Sequence, residues 1–231
     1  MIISHKHRFI FFKTQKTAGT SIELALSHLC GPDDVITSHP AEDEKLRTGP
    51  GPQNTDIPIA RRRPGWRMLE LCGVRPYKAG IQFSGHMSAA AVCRAMDREL
   101  FDSYRKVTVV RNPWDREVSL YYWAIRGRQK PLSFEEFVRR WVWRPERKTF
   151  ELYSLEGRIV ANTVFRYETL NDDLDAFVRS LGVDRCPEMP RAKGKHRPRD
   201  ARDYQKLYTP VTKAIVQKRH AREIEAFGYE F

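Results

Sequence analysis

The sequence predicts an α/β fold of three layers, a mainly parallel central sheet flanked by helices. Three stretches predict it, beginning at Phe9, Lys106 and Val164. Each couples a short apolar run of strand length to a helix-periodic segment. That alternation is the signature of crossover-connected parallel strands.

The first stretch is the most informative. Phe9-Ile10-Phe11-Phe12 is short, aromatic and β-branched, so it reads as a buried strand. Lys13 to Ser21 is small and hydroxyl-rich, with two lysines. Ile22, Leu24, Ala25, Leu26 and Leu29 then fall at spacings that suit a helix lying on a sheet. A strand–loop–helix turn of this kind aims backbone N–H groups and the positive end of a helix dipole at one spot. Lys16 adds a full charge there, and Thr17, Thr20 and Ser21 add hydroxyl donors. The expected occupant is a phosphate-like anion; a turn with no ligand is the plain alternative. The Walker A order G-x-x-x-x-G-K-[ST] is not met, because Lys16 precedes Gly19 and the leading glycine is absent.

Beyond the first helix, Gly31-Pro32-Asp33-Asp34 breaks the pattern, and residues 38–65 are rich in Pro, Gly and charge. The region 31–79 reads as an insertion or loop: a lid, a substrate-binding element or a disordered segment. Arg61-Arg62-Arg63 within it could meet an acidic acceptor or simply be solvated. A short helix is expected at Trp66–Leu71 and a short strand at Ala79–Phe83. Ser88 then caps a helix through Met96. His86 thus falls at a strand-to-helix turn, the edge of an α/β sheet where ligands bind.

Lys106 to Val110 is the clearest strand, nearly all apolar and β-branched, hence central and parallel. It runs into Arg111-Asn112-Pro113, with Pro113 suited to the first turn of a helix. A Mg-nucleotide enzyme would want an aspartate at that strand end, where this chain has Arg111. Ser133 and Glu136 form a capping box, and Phe134, Phe137, Val138 and Trp141 line the core face of the helix it opens. Arg139, Arg140, Trp143, Arg144 and Arg147 make a basic face, either sugar-facing or solvated. Val164 to Glu168 is a further strand, and the helix after it ends at Gly182. Residues 191–202 form a basic loop, and a last helix runs from Pro210 to about Phe227. No repeat is present, and the whole chain, 1–231, reads as one domain.

Composition bounds the partners. Lys and Arg exceed Asp and Glu by 41 to 29, a net charge of +12, so the field attracts anions: nucleic acid, nucleotides, acidic glycans or an anionic membrane. Cys30, Cys72, Cys93 and Cys186 show no zinc or disulfide spacing, which points to a reducing compartment. No apolar run reaches the length of a membrane span.

The second motif is Arg111-Asn112-Pro113-x-x-Arg116-x-x-Ser119-x-Tyr121. An arginine fork and a serine hydroxyl can hold a phosphate dianion from two sides. Together with Lys16-Thr17-Ala18-Gly19-Thr20-Ser21, it resembles the paired cofactor motifs of sulfotransferases that use 3′-phosphoadenosine-5′-phosphosulfate, PAPS. The resemblance continues at Val164 to Leu170, at the basic loop and at Phe227-Gly228-Tyr229, and is nearest to the carbohydrate (Golgi-type) enzymes and their bacterial relatives. It implies a P-loop-like fold and transfer of a sulfuryl group to a hydroxyl acceptor, expected to be a glycan and acidic in leaning, with release of PAP.

The resemblance also implies roles. Lys16 would stabilise charge in the transition state; Thr17, Ala18, Gly19, Thr20 and Ser21 would cradle the 5′-phosphosulfate. Arg111 and Ser119 would hold the 3′-phosphate, and Lys193, Gly194, Lys195 and Arg197 would close over the cofactor. No metal is required. Gln15 departs from the proline that many relatives carry before the lysine. Without the anchor of the eukaryotic Golgi enzymes, a bacterial cytoplasmic setting is expected. Of seven histidines, His86 in Gly85-His86-Met87 resembles the Gly-His catalytic segment of the heparan 2-O-sulfotransferase branch and is the candidate base; Glu23 is the fallback.

Three other readings predict different behaviour. A P-loop kinase or NTPase would depend on Mg. A nucleic-acid-binding protein would bind with steep salt dependence. A PAPS-binding fold without catalysis would bind PAP and transfer nothing.

Overall fold

The computed structural model describes residues 1–58, 82–141, 149–190, 192, 197–198 and 203–231. Its centre is a five-stranded sheet built from β1 (Ile2–Ser4), β2 (Phe9–Phe12), β3 (Val35–Ile36), β4 (Arg105–Val110) and, after a small β5–β6 hairpin (Ser154–Leu155 and Arg158–Ile159), β7 (Thr163–Arg166). The spatial order is β3-β1-β2-β4-β7. β2, β4 and β7 pair in parallel, with Phe11 opposite Val107 and Val109 opposite Phe165. β1 runs antiparallel to both β2 and β3.

Strand alternation divides the core into two layers. Phe9, Phe11, Val107, Val109 and Phe165 face α1 (Gly19–Ser27) and α7 (Leu170–Ser180), burying Ile22, Leu26, Leu174 and Phe177 against them. Ile10, Phe12 and Val110 face the other way. There they meet α3 (Ala89–Ala95), α4 (Arg98–Ser103), α5 (Pro113–Ile125) and α6 (Phe134–Trp141) through Val92, Phe101, Trp114, Val118, Phe134 and Phe137. Period-2 strands with both faces covered are what a near-continuous apolar run implies. Truncating one such side chain, Phe11→Ala for example, removes about 3–5 kcal/mol of stability.

The local signals hold where the chain is described. Ser88 Oγ accepts from the Ala91 N–H, and Ser133 and Glu136 exchange side-chain-to-backbone bonds as a capping box. Asn112 caps α5 with its side-chain oxygen, and Pro113 opens that helix. Gly182, at φ +77°, ends α7.

Three expectations change. The 31–79 stretch is not a loop throughout: its described part, 31–58, supplies the edge strand β3 and the short helix α2 (Ala41–Glu44). Asp34 anchors this turn by accepting from Ser4 Oγ and from the N–H groups of His5, Lys6 and Gly31. The end of the strand expected at 79–83 does not join the sheet. Gln82 forms an antiparallel bridge with Asp56, and Phe83 N–H donates to Thr55 O. The last helix is two, α8 (Pro210–Arg219) and α9 (Ala221–Phe227), broken at His220. His220 is drawn into a buried charge network, and its backbone leaves helical geometry at φ −109°, ψ 22°.

The helix expected at 66–71, the arginines 61–63 and Trp143, Arg144 and Arg147 lie outside the described residues. Among the described residues, no helix is long and apolar enough to cross a membrane.

Candidate functional site

The carboxyl ends of β2 and β4 open into a pocket of about 460 Å³. Lys13, Thr14, Gln15, Lys16, Ala18, Gly19, Thr20 and Ser21 line it from the first turn. His86, Arg111, Ser119, Leu120, Trp123, Tyr167 and Ala192 complete it. The two motifs, more than ninety residues apart in the chain, therefore meet in one cavity. Three cations line it, Lys13, Lys16 and Arg111, and among the described lining residues there is no carboxylate.

Backbone geometry makes the loop a tight turn. Lys16 and Ala18 both sit in the left-handed region, at φ +60° and +59°. Such residues are uncommon outside glycine and signal a constrained turn. The first bond of the α1 ladder runs from Ile22 N–H to Ala18 O. The N–H groups of Gly19, Thr20 and Ser21 therefore stand at the open end of the helix, where the dipole is positive. Gly19 is required by space: a Cβ there would lie 2.7 Å from Lys13 Cγ and 3.3 Å from Thr14 O. Thr14 Oγ1 donates to Val109 O at 2.5 Å and fastens the loop to β4.

The hydroxyls divide. Thr20 and Ser21 line the pocket, and Ser21 Oγ accepts from Ala192 N–H at 3.2 Å, tying the start of the basic loop to the helix end. Thr17, expected to present its hydroxyl to the ligand, turns inward instead. Its Oγ1 lies 2.8 Å from Thr14 Oγ1 and it is fully buried.

Arg111 leaves the end of β4 and spans the two motifs. Its Nη1 donates to Lys16 O at 2.9 Å, and its Nε and Nη2 reach Asp115 Oδ2 at 2.7 and 2.5 Å. Its guanidinium lies 3.9 Å from the centre of the Tyr167 ring. Asp115 also takes Arg197 Nη1 on its other oxygen at 2.5 Å. Arg197, expected to close over the cofactor, thus stands beside Arg111; Lys193, Gly194 and Lys195 lie outside the described residues. Ser119 is two turns into α5 and half-buried on the pocket side.

The second arginine of the motif goes elsewhere. Arg116, 2% exposed, donates to Glu223 Oε1 and Oε2 at 2.8 and 2.5 Å and lies 3.1 Å from His220 Nδ1. Glu117 meets His220 Nε2 at 3.0 Å, and Tyr153 Oη donates to Glu223. Here the motif locks α9 onto α5.

His86 is reached by solvent at the pocket wall. Its Nδ1 lies 2.9 Å from Lys13 O. A carbonyl can only accept, so Nδ1 carries the proton, and Nε2 of the neutral ring keeps its lone pair. The protein crowded around the ring and the Lys13 ammonium both push its pKa below the ordinary histidine range. The ring is therefore neutral, the basic form, at pH 7. Glu23 is different: fully buried, it accepts from Thr37 Oγ1 at 2.8 Å and pairs with Lys13 and the Met1 ammonium. Burial alone would raise its pKa, but the Met1 ammonium and Lys13 overcome that and hold it down at about 2. It does not line the pocket.

A family model described as "Sulfotransferase family" matches residues 1–230. The chain belongs to the sulfotransferase family. A curated relative, an uncharacterized protein of Archaeoglobus fulgidus, is 28% identical over 102 residues, which cover 42% of this chain and 83% of the relative. No solved structure matches the chain. Family membership makes this chain a transferase and sulfuryl transfer its chemistry. The family in turn implies a hydroxyl acceptor.

Among the residues of this sulfotransferase pocket that sequence reasoning missed are Lys13, Trp123 and Tyr167. For Lys13 a signal existed, since a lysine directly after a central strand falls at the ligand-binding edge of the sheet. Trp123 lies one helical turn beyond Ser119, on the same face of α5. Nothing in the sequence marked Tyr167, whose role depends on where Arg111 lies.

Proposed function

We propose that this chain moves a sulfuryl group from PAPS to a carbohydrate hydroxyl and releases PAP. The observation that carries this reading is the single pocket in which the Lys16 loop and the Arg111–Ser119 pair converge, with no carboxylate among its described lining residues. Such a donor set suits a metal-free polyanion. An Mg-nucleotide site would bring an acidic ligand to the same strand end.

In this reading the Lys13–Ser21 turn is a P-loop-like element whose lysine is displaced toward the strand. Lys16 faces the phosphosulfate and stabilises charge as it develops on the bridging oxygen. The N–H groups at the start of α1, with Thr20 and Ser21, cradle the 5′ end. Arg111 and Ser119 take the 3′-phosphate, and the basic loop that carries Lys193, Gly194, Lys195 and Arg197 closes over the cofactor. Nε2 of His86 accepts the proton of the acceptor hydroxyl as its oxygen bonds to sulfur. The sulfur–oxygen bond to the 5′-phosphate then breaks, and PAP leaves. Glu23, buried and committed to its cations, has no part in the proton transfer. Hydroxyl-bearing glycans, acidic ones first, are the acceptors to screen.

The test is a calorimetric titration of PAP into the protein in chelator, beside ATP–Mg and a DNA duplex. Metal-independent PAP binding that weakens about 10–100-fold in Arg111→Ala is expected, as for loss of a charge-assisted fork. Binding of ATP–Mg or DNA with none of PAP would sink the reading. Transfer of labelled sulfate to a glycan panel then separates catalysis from binding alone.

A further inference from the structure

Lys13 has no part in the sequence motifs, yet contacts from several elements converge on it. It follows β2, lines the pocket and is 7% exposed. Its carbonyl oxygen holds His86 Nδ1 at 2.9 Å. Its Nζ lies 3.3 Å from Glu23 Oε2 and 3.0 Å from Nδ1 of His39, whose side chain is 2% exposed. Its stem runs beneath the anion loop, so close that only a glycine fits at position 19. One residue therefore touches the loop, the candidate base and a buried carboxylate.

We propose that Lys13 is a positioning residue that couples donor occupancy to the proton affinity of His86. The inference rests on the PAPS reading of the pocket. The charged groups around His86 are Lys13 after β2, Glu23 on α1, the Met1 ammonium at the start of β1, and Lys16 and Arg111 in the same pocket. At neutral pH three of these are full cations, Lys13, Lys16 and Arg111, because burial pushes the Met1 amino group down to about 5. Without an anion in the pocket, that field disfavours an imidazolium. Lys13 contributes most of the charge effect among them. A polyanion seated on Lys16 and Arg111 cancels the field, and the proton affinity of His86 rises toward the range in which a general base works best. Throughout, the Lys13 carbonyl keeps the proton on Nδ1, so Nε2 remains the accepting atom. The base thereby becomes effective once the donor is bound, and by linkage PAP binds with uptake of protons at mildly acidic pH.

The experiment follows the His86 imidazole proton resonance against pH, identified by its loss in His86→Asn. It is run on the free and PAP-saturated protein, on Lys13→Met and on Lys13→Arg, with PAP binding measured separately by calorimetry. In the unsubstituted protein PAP is expected to raise the His86 midpoint by about one pH unit, a tenfold change in protonation. Lys13→Met should raise the midpoint of the free protein and cut the PAP-induced rise by half or more. Lys13→Arg, which keeps the charge, should preserve both. If Lys13→Met does not fold, Lys13→Gln, which is neutral and keeps a hydrogen-bond donor on the side chain, takes its place. PAP binding that leaves the His86 midpoint unmoved overturns the proposal, as does a neutral variant that titrates like the parent. Absence of PAP binding overturns the donor reading instead; the free-protein comparison still decides whether Lys13 governs His86.

Discussion

Arg111 and Arg116 stand five residues apart in one motif and are both buried, at 6% and 2% exposure, but they do opposite work. Arg116 is enclosed. Both of its terminal nitrogens are engaged by Glu223 or His220, and Glu117 closes the set. Arg111 shares one carboxylate, Asp115, with a second guanidinium, Arg197, and its face lies on Tyr167 at the pocket wall. One cluster meets its charge inside the fold; the other divides a single negative charge between two cations beside an open cavity. The difference teaches that a binding motif is half architecture: its second arginine fixes the helix that carries the serine.

Breaking the enclosed cluster should have the largest effect. Arg116→Met leaves Glu223 buried without its main partner, and loss of one member of a buried pair costs about 3–5 kcal/mol. Denaturant unfolding would show it, and a variant as stable as the parent would remove the architectural role. Next, Lys16→Ala should lower kcat about 10²–10³-fold, the scale for one charge-stabilising donor, with little change in unfolding midpoint. Single-turnover transfer from PAPS measures it. Arg111→Ala should weaken PAP about 10–100-fold while leaving the unfolding midpoint near that of the parent. A large loss of stability there would merge the two clusters into one.

The smallest effect sharpens the contrast through pH. Burial alone would lower the pKa of His220, but its bonds to Glu117 and Glu223 overcome that and raise it. A raised folded-state pKa contributes stability that is fully present below the unfolded value of about 6.5 and is lost as pH rises through the folded one. Stability against urea should therefore fall as pH rises above about 6.5, by about 1.4 kcal/mol for each pH unit that separates the folded pKa from the unfolded one. It should stay level over that range in His220→Gln. His86, whose pKa is displaced downward, should leave no such mark there.

The sheet-forming runs at Phe9, Lys106 and Val164, the caps at Ser88, Ser133 and Gly182, and the pairing of the two anion motifs were legible in the residues. Each depends on local periodicity or on a turn chemistry that one segment carries by itself. Lys16, Ala18 to Ser21, His86, Arg111 and Ser119 are together in the pocket because strand-end loops of a parallel sheet share one edge. Other features were not legible. β3 is two residues long and owes its pairing to Asp34, whose side chain gathers the β1–β2 turn. Glu23 among Ile22, Leu24, Ala25 and Leu26 signalled only that a buried charge needs a partner. The partners, Lys13, Met1 and Thr37, come from three separate segments.

By itself, then, the sequence determined the layers of this sulfotransferase, the strand–loop–helix turn from Lys13 to Ser21 and the lysines placed at that helix start. Those properties follow from side-chain periodicity and from the dipole at a helix start, both local. Only the tertiary structure decided which way Thr17 turned, which arginine faced the pocket, where the last helix broke and which lysine stands beneath His86. Each of these is settled by a buried polar group finding its partner across the fold, and partnership at a distance leaves no local trace.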